Sequence, residues 1–157
     1  MEKIAIFVDV QNIYYTTRQY YHQYFNYKAF WDKATANKEI IAAFAYAIDK
    51  GDTKQRNFQN TLKNIGFQVK LKPYIQRKDG SAKGDWDVGI ALDAIELAES
   101  ADTIILLSGD GDFDLLLQKA RKVYATKSVV YGVTALTAPS LINAADQFIA
   151  IEKSLLL

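Results

Sequence analysis

Four aspartates occupy positions where carboxylates readily do chemistry: Asp9 at the end of an apolar run, Asp110 and Asp112 just after another, and Asp87 at the start of a helical segment. Asp9 and Asn12 form Asp-Val-Gln-Asn at an expected strand-to-helix junction, where a carboxylate and an amide can converge on one ligand. The same pair also suits a helix cap plus a turn, because Asp and Asn are favoured there for purely local reasons. Ser108-Gly109-Asp110-Gly111-Asp112-Phe113 is more specific, since two glycines after a buried strand let the backbone turn sharply and expose both acids. Asp87 falls in the first turn of a predicted helix, and Asp93 lies about 240° further around it. Those two cannot face one ion from the same stripe. Asp87 is therefore the expected ligand or water-orienting acid, Asp93 a supporting or structural acid, Asp85 a helix cap, and Asp114 a weaker candidate ligand.

Carboxylates brought together repel one another, and a hard divalent cation bound through their oxygens keeps them ionised. Magnesium or manganese fits best. Such an ion polarises a phosphoryl oxygen and lowers the pKa of a bound water, which suits phosphodiester hydrolysis without a histidine base. The chain has one histidine, His22, and no cysteine. A disulfide framework is thereby excluded and a typical zinc site disfavoured.

The net charge of +1 conceals two blocks of opposite sign. From Lys54 to Lys83 there are eight basic residues (Lys54, Arg56, Lys63, Lys70, Lys72, Arg77, Lys78, Lys83) against one acid, Asp79. From Gly84 to Asp114 there are nine acids and no basic residue. Lys70, Lys72, Arg77, Lys78 and Lys83 lead into the acidic segment and are the expected substrate-binding cations, spaced to hold successive backbone phosphates. The plainer alternative is a solvated loop. Tyr15 and Trp86 are candidates to stack on unpaired bases, or simply to pack.

The elements that must position these residues alternate between strand and helix. Apolar runs predict strands at Lys3–Val8, Ile40–Ile48, Phe67–Ile75, Thr103–Leu107, Ser128–Val133 and Phe148–Ile151. Pro73 suggests an edge position for the third. Helices are predicted at Ile13–Phe25, Gln55–Asn64, Asp85–Glu99, Phe113–Val123 and Pro139–Ala145, with a possible short one at Tyr27–Ala34. In the first, Ile13, Tyr14, Tyr20, Tyr21, Tyr24 and Phe25 form the expected core-facing stripe. Such alternation implies an α/β fold: a mainly parallel central sheet, joined by right-handed crossovers and covered by helices on both faces. In the common 3-2-1-4-5 strand order, Asp9 and Asp110 meet at the crevice where the winding reverses. The 157 residues, half of them hydrophobic, fit a single domain over 1–157. The N-terminal apolar run is too short for a signal-peptide core or a membrane span, so a soluble, intracellular and cytoplasmic protein with no membrane partner is expected.

Three motifs in order are similar to a known family: Phe-Val-Asp-Val-Gln-Asn at 7 to 12, Lys-Gly-Asp-Trp-Asp-Val-Gly-Ile-Ala-Leu-Asp at 83 to 93, and Ser-Gly-Asp-Gly-Asp-Phe at 108 to 113. Together with Ser140-Leu141 and Ala145-Asp146-Gln147-Phe148 near the end, they resemble the NYN domain family, in the LabA-like branch of the PIN-like nuclease superfamily. The resemblance implies a PIN-like (Rossmann-like) three-layer α/β/α sandwich. It also implies a divalent-metal site, Mg2+ or Mn2+, for cleavage or processing of RNA, expected to be single-stranded. It assigns Asp9, Asn12, Asp87, Asp110 and Asp112 to catalysis, and the four aspartates to the metal. No acid of the family pattern is missing. The alternative function is a non-catalytic RNA- or partner-binding regulatory module of the same fold. The aromatic-rich Tyr14–Trp31 stretch is a possible homodimer face. A haloacid dehalogenase-type phosphatase is disfavoured because Gln11 stands where a second aspartate belongs, and a Toprim domain because Asp9 stands where a glutamate belongs.

Overall fold

Six consecutive residues, Ile4 to Asp9, are buried, as only a strand covered on both faces allows. That strand is β1 (Glu2–Asp9). The structure, a computed structural model, describes residues 1–73, 75–76, 82–83 and 85–157. The other strands are β2 (Lys38–Asp49), β3 (Gln68–Pro73), β4 (Ile75–Gln76), β5 (Ala82–Lys83), β6 (Thr103–Leu107), β7 (Lys127–Gly132) and β8 (Gln147–Ala150). Among the described residues the α-helices are α1 (Val10–Tyr21), α2 (Tyr27–Thr35), α3 (Thr53–Ile65), α4 (Asp87–Ala98), α5 (Asp114–Tyr124) and α6 (Pro139–Ala144).

The main sheet runs β3-β2-β1-β6-β7-β8, and each neighbouring pair in it is parallel. β4 and β5 form a separate antiparallel pair. Side chains of β1 alternate between two cores. Ile4, Ile6 and Val8 join Ile13, Phe30 and Leu62 beneath α1, α2 and α3. Ala5 and Phe7 join Ile90, Leu117 and Leu141 beneath α4, α5 and α6. This is the expected α/β/α sandwich. Winding proceeds outward from β1 to β3, returns to β6 beside β1, and then proceeds outward the other way. The carboxyl ends of β1 and β6 therefore border the crevice where such sheets take ligands. β3 occupies an edge, which accommodates Pro73 at its end.

The first helix differs from its expected span. It begins at Val10, with the Asp9 carboxylate accepting the Asn12 N–H, and ends at Tyr21, with His22 left-handed at φ 57°. Val10, Ile13, Thr16 and Thr17 face the core. Burial of Thr17 is tolerated because its hydroxyl donates to the Ile13 carbonyl at 2.8 Å. Tyr14, Tyr20 and Tyr24, expected on the core stripe, are exposed instead. Tyr24 and Phe25 lie beyond the helix end, so helical spacing does not govern them. Phe25 is buried, and its backbone pairs with Leu156.

Candidate active site at the acidic cleft

Asp9 ends β1 and caps α1, which fixes its carboxylate at the mouth of the crevice. One of its oxygens accepts the Asn12 N–H at 3.4 Å, and the other accepts the Ser108 hydroxyl at 3.1 Å. The Asn12 side-chain oxygen accepts the Gly109 N–H at 2.9 Å, tying the α1 start to the loop after β6. Ser108 Oγ in turn accepts the Asp110 N–H at 3.2 Å. The Asp110 carboxylate accepts the Asp112 N–H at 2.9 Å, turning the chain into a 3-10 helix over Gly111–Phe113. Gly109 is required by close approach: a Cβ there would lie 2.6 Å from the Leu136 carbonyl oxygen. The two motifs that sequence separates by about a hundred residues are one hydrogen-bonded unit.

Asp87 reaches this unit from the opposite side. α4 packs Ile90 and Ala94 into the core beneath β1, so its first turn stands over the strand ends. Trp86 anchors that turn, its indole N–H donating to the Ala47 carbonyl at 2.8 Å and its ring lying 5.2 Å from that of Tyr46. Trp86 is thus a packing residue on a wall of the site. Asp85 is not the helix cap. Trp86 takes that place without a side-chain bond, and Asp85 accepts the Asp87 N–H at 3.3 Å. Asp85 also lines the cleft, a role its sequence position alone did not indicate.

Oxygens from Asp87, Asp110 and Asp112 all lie within 4.8 Å of one another. Asp9 stands beside this trio and lines the same cleft of about 320 Å³ with Gln11, Asn12, Tyr15, Asp87 and Asp110. Burial raises the Asp9 carboxyl to about 6; the charges of Asp110 and Asp85 add to the rise, while hydrogen bonds from Asn12 and Ser108 oppose it. Burial also raises Asp87, to about 7, reinforced by its hydrogen bond to Asp110 and by the charges of Asp110, Asp85 and Asp9. Burial first, and the neighbouring acids after it, therefore favour the protonated forms of Asp9 and Asp87. A second hollow, lined by Val88, Ala91, Leu92 and Phe113, opens beside Asp87 and Asp112.

The remaining expected residues are placed differently. Asp93 accepts the Tyr46 hydroxyl and the Lys70 ammonium, both at 2.7 Å, and so braces α4 against the sheet. Lys70 is committed to that pair and lies 4.1 Å over the Phe44 ring. It does not extend outward as a free cation for phosphate. Lys72 lies 4.5 Å over the Trp86 ring and donates to the Asp85 carbonyl at 3.2 Å, which leaves it next to the cleft wall. Arg77 and Lys78 fall outside the described residues, and Lys83 is described only through the pairing of β5 with β4. Ser108, which bridges Asp9 and Asp110, is a site residue that the acidic pattern alone does not single out. Its place directly after the apolar run Ile104–Leu107 is the signal that points to it.

The NYN domain family matches residues 3–152. The chain therefore belongs to the NYN domain family. It is 28% identical over 155 residues to the Low amplitude and bright protein LabA of Synechococcus elongatus, covering 94% of this chain and 82% of that one. It is 58% identical to a protein of unknown function from Vibrio parahaemolyticus, whose crystal structure superposes with a TM-score of 0.95 over 99% of this chain and 96% of that one. Among the described residues no helix is long and apolar enough to cross a membrane.

Proposed function

We propose that the chain is a metal-dependent ribonuclease that hydrolyses RNA phosphodiester bonds in the acidic cleft. The observation that carries this reading is the convergence of Asp87, Asp110 and Asp112 oxygens within 4.8 Å of one another. An oxygen-only donor set suits a hard cation such as Mg2+ or Mn2+, and excess carboxylate charge favours binding one. Burial raises the proton affinities of Asp9 and Asp87, and the charges of the neighbouring acids add to the rise. NYN membership supports a nuclease of this kind.

Asp87, Asp110 and Asp112 would hold the cation, with Asp9 adding charge from the cleft floor. A bound cation of this type polarises a phosphoryl oxygen and lowers the pKa of a coordinated water. The chain itself supplies position. Asn12 holds the Gly109 backbone, and Ser108 links the Asp9 carboxylate to the Asp110 N–H, so the ends of β1 and β6 that carry Asp9 and Asp110 are tied together. Gln11 and Tyr15 complete the wall against which a substrate would lie.

Purified protein is expected to cleave single-stranded RNA when supplied with manganese or magnesium, and to stop when EDTA is added. RNA binding that survives EDTA, with no turnover under either metal, would instead select a non-catalytic binding module.

A further inference from the structure

Core packing does not explain the exposed tyrosines of α1. Tyr15 is 60% exposed and Tyr14 56%, and Tyr24, just past the helix end, is 48% exposed. The rings of Tyr14 and Tyr24 lie 6.2 Å apart, and the Arg18 guanidinium sits 4.7 Å over Tyr24. Arg18 is held by donating to the His22 carbonyl at 3.2 Å. This surface is continuous with the acidic cleft, because Tyr15 and Gln11 line the cleft itself.

Resting on the nuclease reading of that cleft, we propose that the α1 face is the track on which single-stranded nucleic acid leaves it, with unpaired bases stacking on Tyr15, Tyr14 and Tyr24. Two observations favour this occupant. Stacking needs flat rings open to solvent, and every base offers a π-face to them. Charge permits it as well: from Val10 to Trp31 the chain has no acidic residue, and Arg18 lies at the far end of the ring series. The other wall is unsuited to a polyanion. Asp85, Asp87, Asp93, Glu96 and Glu99 fall in or beside α4, and no basic residue occurs between Gly84 and Asp114. A phosphate chain passing through the cleft is thus repelled from α4 and admitted along α1. Lys70 is neutralised by Asp93, and the Lys72 ammonium is turned onto the Trp86 ring and the Asp85 carbonyl.

The test uses the full chain and a fluorescein-labelled single-stranded oligouridine, read by anisotropy. Binding is measured in EDTA, and in magnesium with the Asp110→Asn chain so that no cleavage intervenes. Tyr15→Ala is expected to weaken binding about five- to tenfold, and Tyr15→Phe, which keeps the ring, to stay within about twofold of the parent. Tyr14→Ala and Tyr24→Ala should each weaken it less, and Leu92→Ala on the opposite wall should leave it unchanged. Melting temperatures check that each variant folds. Equal binding by Tyr15→Ala, or no oligonucleotide binding in either condition, overturns the proposal. So does a dimer that Tyr14→Ala and Tyr24→Ala dissociate while RNA binding is unaffected, since the rings would then belong to a second copy. Cleavage is scored separately. Turnover with Tyr15→Ala binding intact removes the track and leaves the nuclease, whereas ring-dependent binding without turnover removes the nuclease and leaves the track.

Discussion

The two helices that wall the acidic cleft, α1 and α4, each bury one face against the sheet and turn very different surfaces toward the site. α1 meets the sheet with Val10, Ile13, Thr16 and Thr17, contributes no acid of its own, and presents Gln11 and Tyr15 to the cleft. α4 meets it with the small Ala94 and Ala98 around Ile90, contributes Asp87, and leaves Val88 71% and Leu92 67% exposed next to the acids. Their anchoring differs as well. α1 is bound to the opposing loop through Asn12 and Gly109, a contact made by the site residues themselves. α4 is braced from outside the cleft, through Trp86 to Ala47 and through Asp93 to Tyr46 and Lys70. One wall is therefore part of the hydrogen-bonded site, and the other delivers a carboxylate to it from a separately fixed support.

That contrast can be broken most sharply at the point where the walls meet. Asp110→Asn removes a carboxylate that is hydrogen-bonded to Asp87 and whose charge acts on Asp9, and RNA cleavage should fall at least about a hundredfold, the scale of losing one electrostatic contact in an active site. Unchanged far-ultraviolet circular dichroism would show that the fold persists, and equal activity would sink the assignment of Asp110.

A second expectation concerns pH in the absence of divalent metal. Asp9, with an ordinary value of 3.8, is raised to about 6 by folding, so its protonated form is favoured in the native state. Its contribution to stability is fully present below about pH 4 and is lost as pH rises through about 6. The loss for Asp9 amounts to about 3 kcal/mol at most. Asp87, raised to about 7, changes stability in the same direction over a higher window. In EDTA the melting temperature should therefore decline between about pH 4 and pH 8 relative to an Asp9→Asn chain. Manganese should restore it at pH 8. A flat metal-free profile would mean that Asp9 and Asp87 are neither buried nor crowded in this way.

The support of α4 predicts a smaller effect. Asp93→Ala leaves the Tyr46 hydroxyl and the Lys70 ammonium without their shared acceptor, and should cost about 2 kcal/mol in urea unfolding. If it costs nothing, the bracing described for that wall is wrong. The smallest change is expected at the exposed edge. Leu92→Ser should shift stability by no more than about 0.5 kcal/mol, and a larger loss would show that this apolar surface is covered in solution.

Much of this arrangement was legible in the sequence. The central strands were readable because Ile4–Val8 and Ile104–Leu107 are apolar without alternation, the pattern that burial on both faces demands. Asp9, Asn12, Asp110 and Asp112 were readable because strand ends and glycine-flanked turns put polar groups outside the core. The aromatic segment was misread. Helical spacing placed Tyr14, Tyr20 and Tyr24 inside, but the helix starts at Val10, stops at Tyr21, and buries two threonines in their stead. Hydrophobicity scales favour tyrosine over threonine for burial, yet a threonine hydroxyl satisfied by its own helix fits a close helix-to-sheet contact that a tyrosine ring would force apart.

Lys70 and Lys72 show the same limit from the side of charge. Clustered lysines beside an acidic segment read as a phosphate track, but a charge block says nothing about which partner lies nearest in space. The Lys70 and Lys72 side chains of β3 reach the start and body of α4, so both ammonium groups settle on internal partners, Asp93 for one and the Trp86 ring for the other. The four acids that the first pattern singled out are thus fixed by sequence in type and element, through strand ends and turn chemistry, which are local. Which of them share one ion-sized space, Asp87 with Asp110 and Asp112 while Asp9 is held alongside by Ser108, was decided only when winding reversed between β1 and β6 and brought distant segments to one crevice.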